Sequence, residues 1–173
     1  MAKETESEQS RLEAARILCD LADEPEFLDQ MKAAGCIEVL IRLMRSPRVL
    51  LRQHAVIALA QLSVHVGCAP EIIKIDMALP SLMKIALNLT LEPSTPSAES
   101  TPTEPPYKTK TMRLEAARIV KNVAEKEPAL ALESLKTHAA ADLEAWSAQI
   151  EKIDDDNIKY RCQTALDLIR RNA

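Results

Sequence analysis

Four cysteines, three histidines and a run of three aspartates are the residues of this chain best suited to chemistry. Cys19, Cys36, Cys68 and Cys162 stand singly, without the C-x-x-C spacing that a zinc site or a redox pair needs. They read as small buried hydrophobes in a reducing compartment. His54 and His65 lie eleven residues apart on one predicted helix, about 16 Å at 1.5 Å per residue. That is too far to share a metal or a proton relay, and His138 is remote from both. The run Asp154, Asp155, Asp156 lacks the glycine and the glutamate that a calcium loop requires at its sixth and twelfth positions. It is expected to cap the last helix, where carboxylates meet free N–H groups and the positive end of the dipole.

Nucleotide-binding loops need several glycines close together, and the chain has only Gly35 and Gly67. No serine sits in a nucleophile-elbow context. A non-catalytic protein is therefore expected, with no cofactor, no metal and no small-molecule substrate. Thr95-Pro96 and Thr101-Pro102 are candidates for proline-directed phosphorylation, dipeptides that also arise by chance in Pro-rich loops.

The elements that would carry these groups are helical. Apolar residues make up 47% of the 173 residues and charged ones 28%, with four aromatics and two glycines, a composition that favours helix over sheet. A net charge of −4 offers no basic footprint for nucleic acid. The opening "MAKETESEQSRLEAARI" has no apolar h-region, and no stretch reaches the ~20 apolar residues of a spanning helix. An intracellular, cytoplasmic protein without membrane insertion is expected, and the Met1 start and polar "RRNA" end fit a whole chain.

The heptapeptide "RLEAARI" occurs at Arg11–Ile17 and again at Arg113–Ile119. Between the copies, "SPRVLLRQHAVIALAQLS" carries apolar Leu51, Ala55, Leu59 and Leu62 in steps of four, four and three, the stripe of a half-buried helix. Ser46 is its expected N-cap and Pro47 its first helical residue. The tails "CDLA", "AQLS", "KNVA" and "LDLI" align these helices with a fourth, placing Asp20, Gln61, Asn122 and Asp167 at one position, with separations of 41, 61 and 45. The long interval contains "EPSTPSAESTPTEPPYKTK", residues 92–110, with five of the ten prolines. So polar a stretch cannot offset its ordering entropy and is expected to be a disordered insertion. In a second register, Gly35, Ile37, Val39 and Leu40 align with Met77, Leu79, Ser81 and Leu82, each pair 42 apart. Such periods signal stacked helical units.

The stretch "AAGCIEVLIRLMRSPRVLLRQHAVIALAQLS" resembles an armadillo repeat; HEAT repeats are of similar length. The resemblance implies an all-α, right-handed α-solenoid of about ten helices forming one domain: a lone helix in 1–24, a repeat over 25–66, a second over 67–127 that carries the insertion, and a degenerate third over 128–173. It also implies that the third helix of each repeat lines a concave surface. Family members that bind nuclear-import signals carry Trp four residues before Asn in each third helix. The matching positions here hold Arg16, Ile57, Arg118 and Gln163, then Asp20, Gln61, Asn122 and Asp167. Only Asn122 keeps that pattern, so import-signal binding is not expected.

These eight residues remain the candidate contacts for a protein or peptide partner, with Arg16 and Arg118 facing carboxylates and Asp20 and Asp167 accepting from Lys, Arg or backbone N–H. The alternative is a solvated face in which Arg16 and Asp20 merely pair at i,i+4. Three functions fit: a module offering its concave face to a peptide or a neighbouring subunit, a structural subunit packed by its ends or convex side, or a regulatory or chaperone-associated factor acting on an enzyme. Few aromatic anchors mildly favour the second.

Overall fold

Short apolar steps, prolines at helix starts and left-handed residues between helices divide this chain into an all-α protein. The computed structural model describes residues 2–65, 67–89 and 106–172. Among them are ten α-helices: α1 (Ala2–Ala22), α2 (Leu28–Ala33), α3 (Cys36–Met44), α4 (Val49–Leu62), α5 (Cys68–Lys74), α6 (Ala78–Ala86), α7 (Pro106–Lys126), α8 (Pro128–Ala139), α9 (Asp142–Glu151) and α10 (Asp156–Arg171). A 3-10 turn at Pro25–Phe27 leads into α2. No strand occurs among the described residues.

The breaks have local causes. Gly35 before α3 and Gly67 before α5 adopt φ of 72° and 85°, a region that costs a side-chain-bearing residue about 1–2 kcal/mol. Met77 occupies the same left-handed position before α6, with φ of 58°, 42 residues after its counterpart Gly35. The same geometry therefore recurs on a less suited residue. The end of α6 is closed by a Schellman turn: Asn88 is left-handed, its N–H bonds to Ile85 O at 3.1 Å, and Leu89 N–H bonds to Lys84 O at 2.8 Å. The start of α10 is held by Asp155, whose carboxylate accepts from the N–H groups of Asn157 and Ile158 at 3.1 Å each. Lys110 adds an ion pair at 2.8 Å and, with those N–H groups, holds the Asp155 carboxyl below the usual range.

Three boundaries differ from those expected, one being that α4 ends at Leu62, so His65 lies beyond the helix that holds His54. The fourth helix begins at Val49, because Arg48 is extended and Ser46 Oγ accepts from Arg48 N–H at 3.2 Å, closing a short turn ahead of the helix. Helix α7 begins at Pro106, inside the stretch expected as a loop. Proline suits a first helical position, where its missing N–H is not needed, and Tyr107 to Lys110 include no breaker.

The long helices form a row: α1 packs on α4, α4 on α7 and α7 on α10. Behind it α3 packs on α4, α6 on α7, and α8 and α9 on α10. One continuous core results, with Leu40, Met44, Leu59, Leu62, Ile72, Leu82, Ile119 and Leu135 sealed from solvent. Trp146 is buried in that core, Phe27 packs on it half-buried, and Cys19, Cys68 and Cys162 are buried within it.

The two copies of the heptapeptide meet different surroundings in this row. Arg16 pairs with Glu13 at 3.1 Å in α1, and Arg118 with Glu115 at 3.0 Å in α7. The first pair is largely in water while the second is mostly covered, since α7 has a long helix on each side. Ile17 is 51% exposed, whereas Ile119 is 0% exposed.

Candidate functional site

The candidate contact residues fall on the row of long helices, at the same position in each. Asp20 and Arg16 of α1 are exposed, 3.8 Å apart, and Arg16 also bonds to Glu13. Ion pairs of this kind contribute a few tenths of a kcal/mol, and both side chains are exposed to solvent. In the middle the same positions do something else. Arg118 Nη2 donates to Gln61 Oε1 at 2.8 Å, and Gln61 Nε2 donates to Asp23 Oδ1 at 2.5 Å. One side chain of α4 thus ties α7 to the end of α1. The Arg118 bond is charge-assisted and half-buried, the kind that contributes about 1.5–3 kcal/mol.

Asn122 belongs to a second set of bonds between α4 and α7, its Nδ2 donating to Ser63 Oγ at 2.8 Å, while Ser63 Oγ donates to Ala60 O at 2.8 Å. One turn further, Lys126 Nζ donates to Ser63 O at 2.6 Å and His65 O at 3.4 Å, where α4 ends. A cation there meets free carbonyls and the negative end of the dipole. Partial burial lowers the Lys126 pKa, with the nearby Cys68 and Glu125 acting against it. At the far end of the row Gln163 Nε2 donates to Asp167 Oδ1 at 2.9 Å within α10. Ile57 lies half-buried against the core.

The structure therefore joins Gln61, Arg118 and Asn122 across helices, and leaves Arg16 with Asp20 and Gln163 with Asp167 as pairs within one helix. Asp23, Ser63 and Lys126 complete these two sets of bonds and were not singled out from sequence. Their partners are 38 to 63 residues away, and nothing in their local pattern marks them. Glu115 was discoverable, because Glu13 stands at the same place in the first heptapeptide and makes the same pair.

His138 Nδ1 lies 3.2 Å from Asp76 Oδ1, and Arg45 Nη2 donates to Asp76 O, so the turn before α6 is bonded to both α8 and the end of α3. A shallow depression of about 380 Å³ is lined by Ala129, Leu132, Glu133, Lys136 and Thr137 of α8, none of them in the long-helix row. No group of three or more His, Cys, Asp or Glu among the described residues is placed to hold a metal ion. No described helix is long and apolar enough to cross a membrane. Thr95 and Thr101 lie outside the described residues. The chain matches no protein-family model and no curated protein sequence.

Proposed function

We propose that this protein is a non-catalytic binding module, an armadillo-like stack of three-helix repeats that presents its row of long helices to an extended peptide segment or a partner subunit. The observation that carries this reading is the row itself. Four long helices stand in serial contact, and Asp20, Gln61, Asn122 and Asp167 occupy equal positions with solvent access. Polar groups repeated at a fixed spacing suit the repeating N–H and C=O groups of an extended chain. The cross-helix bonds of Gln61 and Arg118 support the same reading, because they hold the centre of the row rigid and lower the entropy lost on binding. All four cysteines are free, which suits a reducing compartment such as the cytoplasm.

Panning a displayed library of extended peptides against the wild type and an Asp20→Lys/Asn122→Ala variant tests the reading. Peptides enriched by the wild type and lost by an equally helical variant are the expected result. Equal enrichment by both proteins would overturn it.

A second reading, a structural subunit that packs by its ends, draws on one specific observation: Ala14 and Ile17 lie exposed on α1, whereas Ala116 and Ile119, their counterparts in the second heptapeptide, are fully buried.

A further inference from the structure

The identical heptapeptides act as an internal control on what α1 lacks. Helix α7 is flanked by α4 and α10 and backed by α6, and Ala116 and Ile119 are sealed at 0% exposure. In α1 the same seven residues have α4 on one flank, and Ala14 and Ile17 remain open to water. The shape and chemistry of a covering helix can be read from α4 where it meets α7. There Gln61 offers its side-chain oxygen to Arg118, the last arginine of the second heptapeptide. A helix covering α1 in the same way should offer an acceptor to Arg16.

The chain carries such a helix at the other end of the row. In α10 the residue at Gln61's position is Asp167, a carboxylate in place of an amide and thus a stronger acceptor for a guanidinium. Tyr160, two turns before it, is 64% exposed and has the apolar area of an interface anchor. The charges suit each other at that pair, where Arg16 is exposed and Asp167 is solvent-accessible.

We propose that copies of this chain associate head to tail, with α1 of one copy packed on α10 of the next, so that the row of long helices continues from chain to chain. Arg16 donates to Asp167 of the partner subunit as Arg118 donates to Gln61 within the chain, and Ile17 is buried as Ile119 is. This contact joins two different surfaces and is heterologous, so it adds copies successively unless the rotation closes a ring. Being partly ionic at an accessible site, it weakens with salt. The proposal names the partner in the end-packing reading and is independent of peptide binding.

Sedimentation velocity on the purified 173-residue chain at low salt, from about 1 μM to about 1 mM, spans the affinities in question. The weight-average sedimentation coefficient of the wild type is expected to rise with concentration. Arg16→Asp and Asp167→Arg should each remain monomeric, since each places like charges on both ends. An equimolar mixture of the two variants should associate again, because every contact then pairs opposite charges. Ile17→Glu should raise the concentration for half-association at least about tenfold. Unchanged far-UV circular dichroism confirms that the variants fold. A wild type monomeric throughout, single variants that associate like the wild type, or a mixture that stays monomeric would each overturn the proposal. Since no peptide is present, none of these results bears on the peptide-binding reading.

Discussion

Substituting the same isoleucine in each heptapeptide should produce unequal damage. Ile119→Ala removes a fully buried side chain from α7, a helix on which α4, α6 and α10 all pack. Truncations of this kind cost about 2–5 kcal/mol, the loss of transfer energy plus the cavity left behind. Ile17→Ala removes a side chain already 51% exposed. Half of the ~1.5–3 kcal/mol for complete burial is about 1 kcal/mol, with no enclosed cavity to add. The gain in helix propensity from Ile to Ala, about 0.4 kcal/mol, is common to both and cancels in the comparison. Urea denaturation followed at 222 nm, in protein dilute enough to prevent self-association, should therefore separate the variants by about 1–4 kcal/mol with unchanged m-values. In thermal melts, Ile119→Ala should lower Tm by about 5–15 °C and Ile17→Ala by at most about 4 °C. Equal losses would refute the view that α1 and α7 differ by their neighbours alone.

Three further perturbations address other parts of the structure. The carboxyl of Asp155 is held below its ordinary value by Lys110 and by the N–H of Ile158. A depressed carboxyl contributes stability that is complete above its unfolded pKa, 3.8, and is lost as pH falls through the lower folded value. Asp155→Asn should therefore lower Tm more at pH 7 than at pH 2.5, and an equal change at both pH values would contradict the assignment. Burial pushes the Cys162 thiol up to about 12 and, with help from Asp23 and Asp20, the Cys19 thiol up to about 11. A thiol-specific reagent at neutral pH should label half-buried Cys36 first and Cys162 only on unfolding, as peptide mapping would reveal. Gly67→Ala should cost at least about 1–2 kcal/mol in chemical denaturation, because φ is 85° and the added Cβ would lie 2.6 Å from Lys32 Nζ, displacing a side chain that pairs with Glu71 at 3.5 Å. Gly35→Ala should cost less, since a Cβ there meets nothing within 4 Å.

Much of this architecture was legible because it rests on local or periodic interactions. Steps of three and four placed α4, the aligned tails put α1, α4, α7 and α10 in one class, and the aspartate run marked the start of α10. The boundaries that differed turned on single backbone conformations. Extended Arg48 delays α4 to Val49, and Pro106 opens α7 inside a stretch whose average composition resembled a loop.

The row of candidate residues shows the same division. Their equal positions follow from the four aligned tails, and the 3.6-residue period puts the two candidates of each helix, four places apart, on one face. That Gln61 would bond to both Asp23 and Arg118 depended on which helices came to lie side by side, over separations of 38 and 57 residues. The sequence by itself determined the helices, their recurrence and the Glu–Arg pair inside each heptapeptide, because each of these is settled within a turn or two of chain. Only the tertiary structure decided that Ala116 and Ile119 of one heptapeptide would be sealed while Ala14 and Ile17 of the other stayed open to water. Burial depends on the neighbours a segment acquires, and seven identical residues carry no record of them.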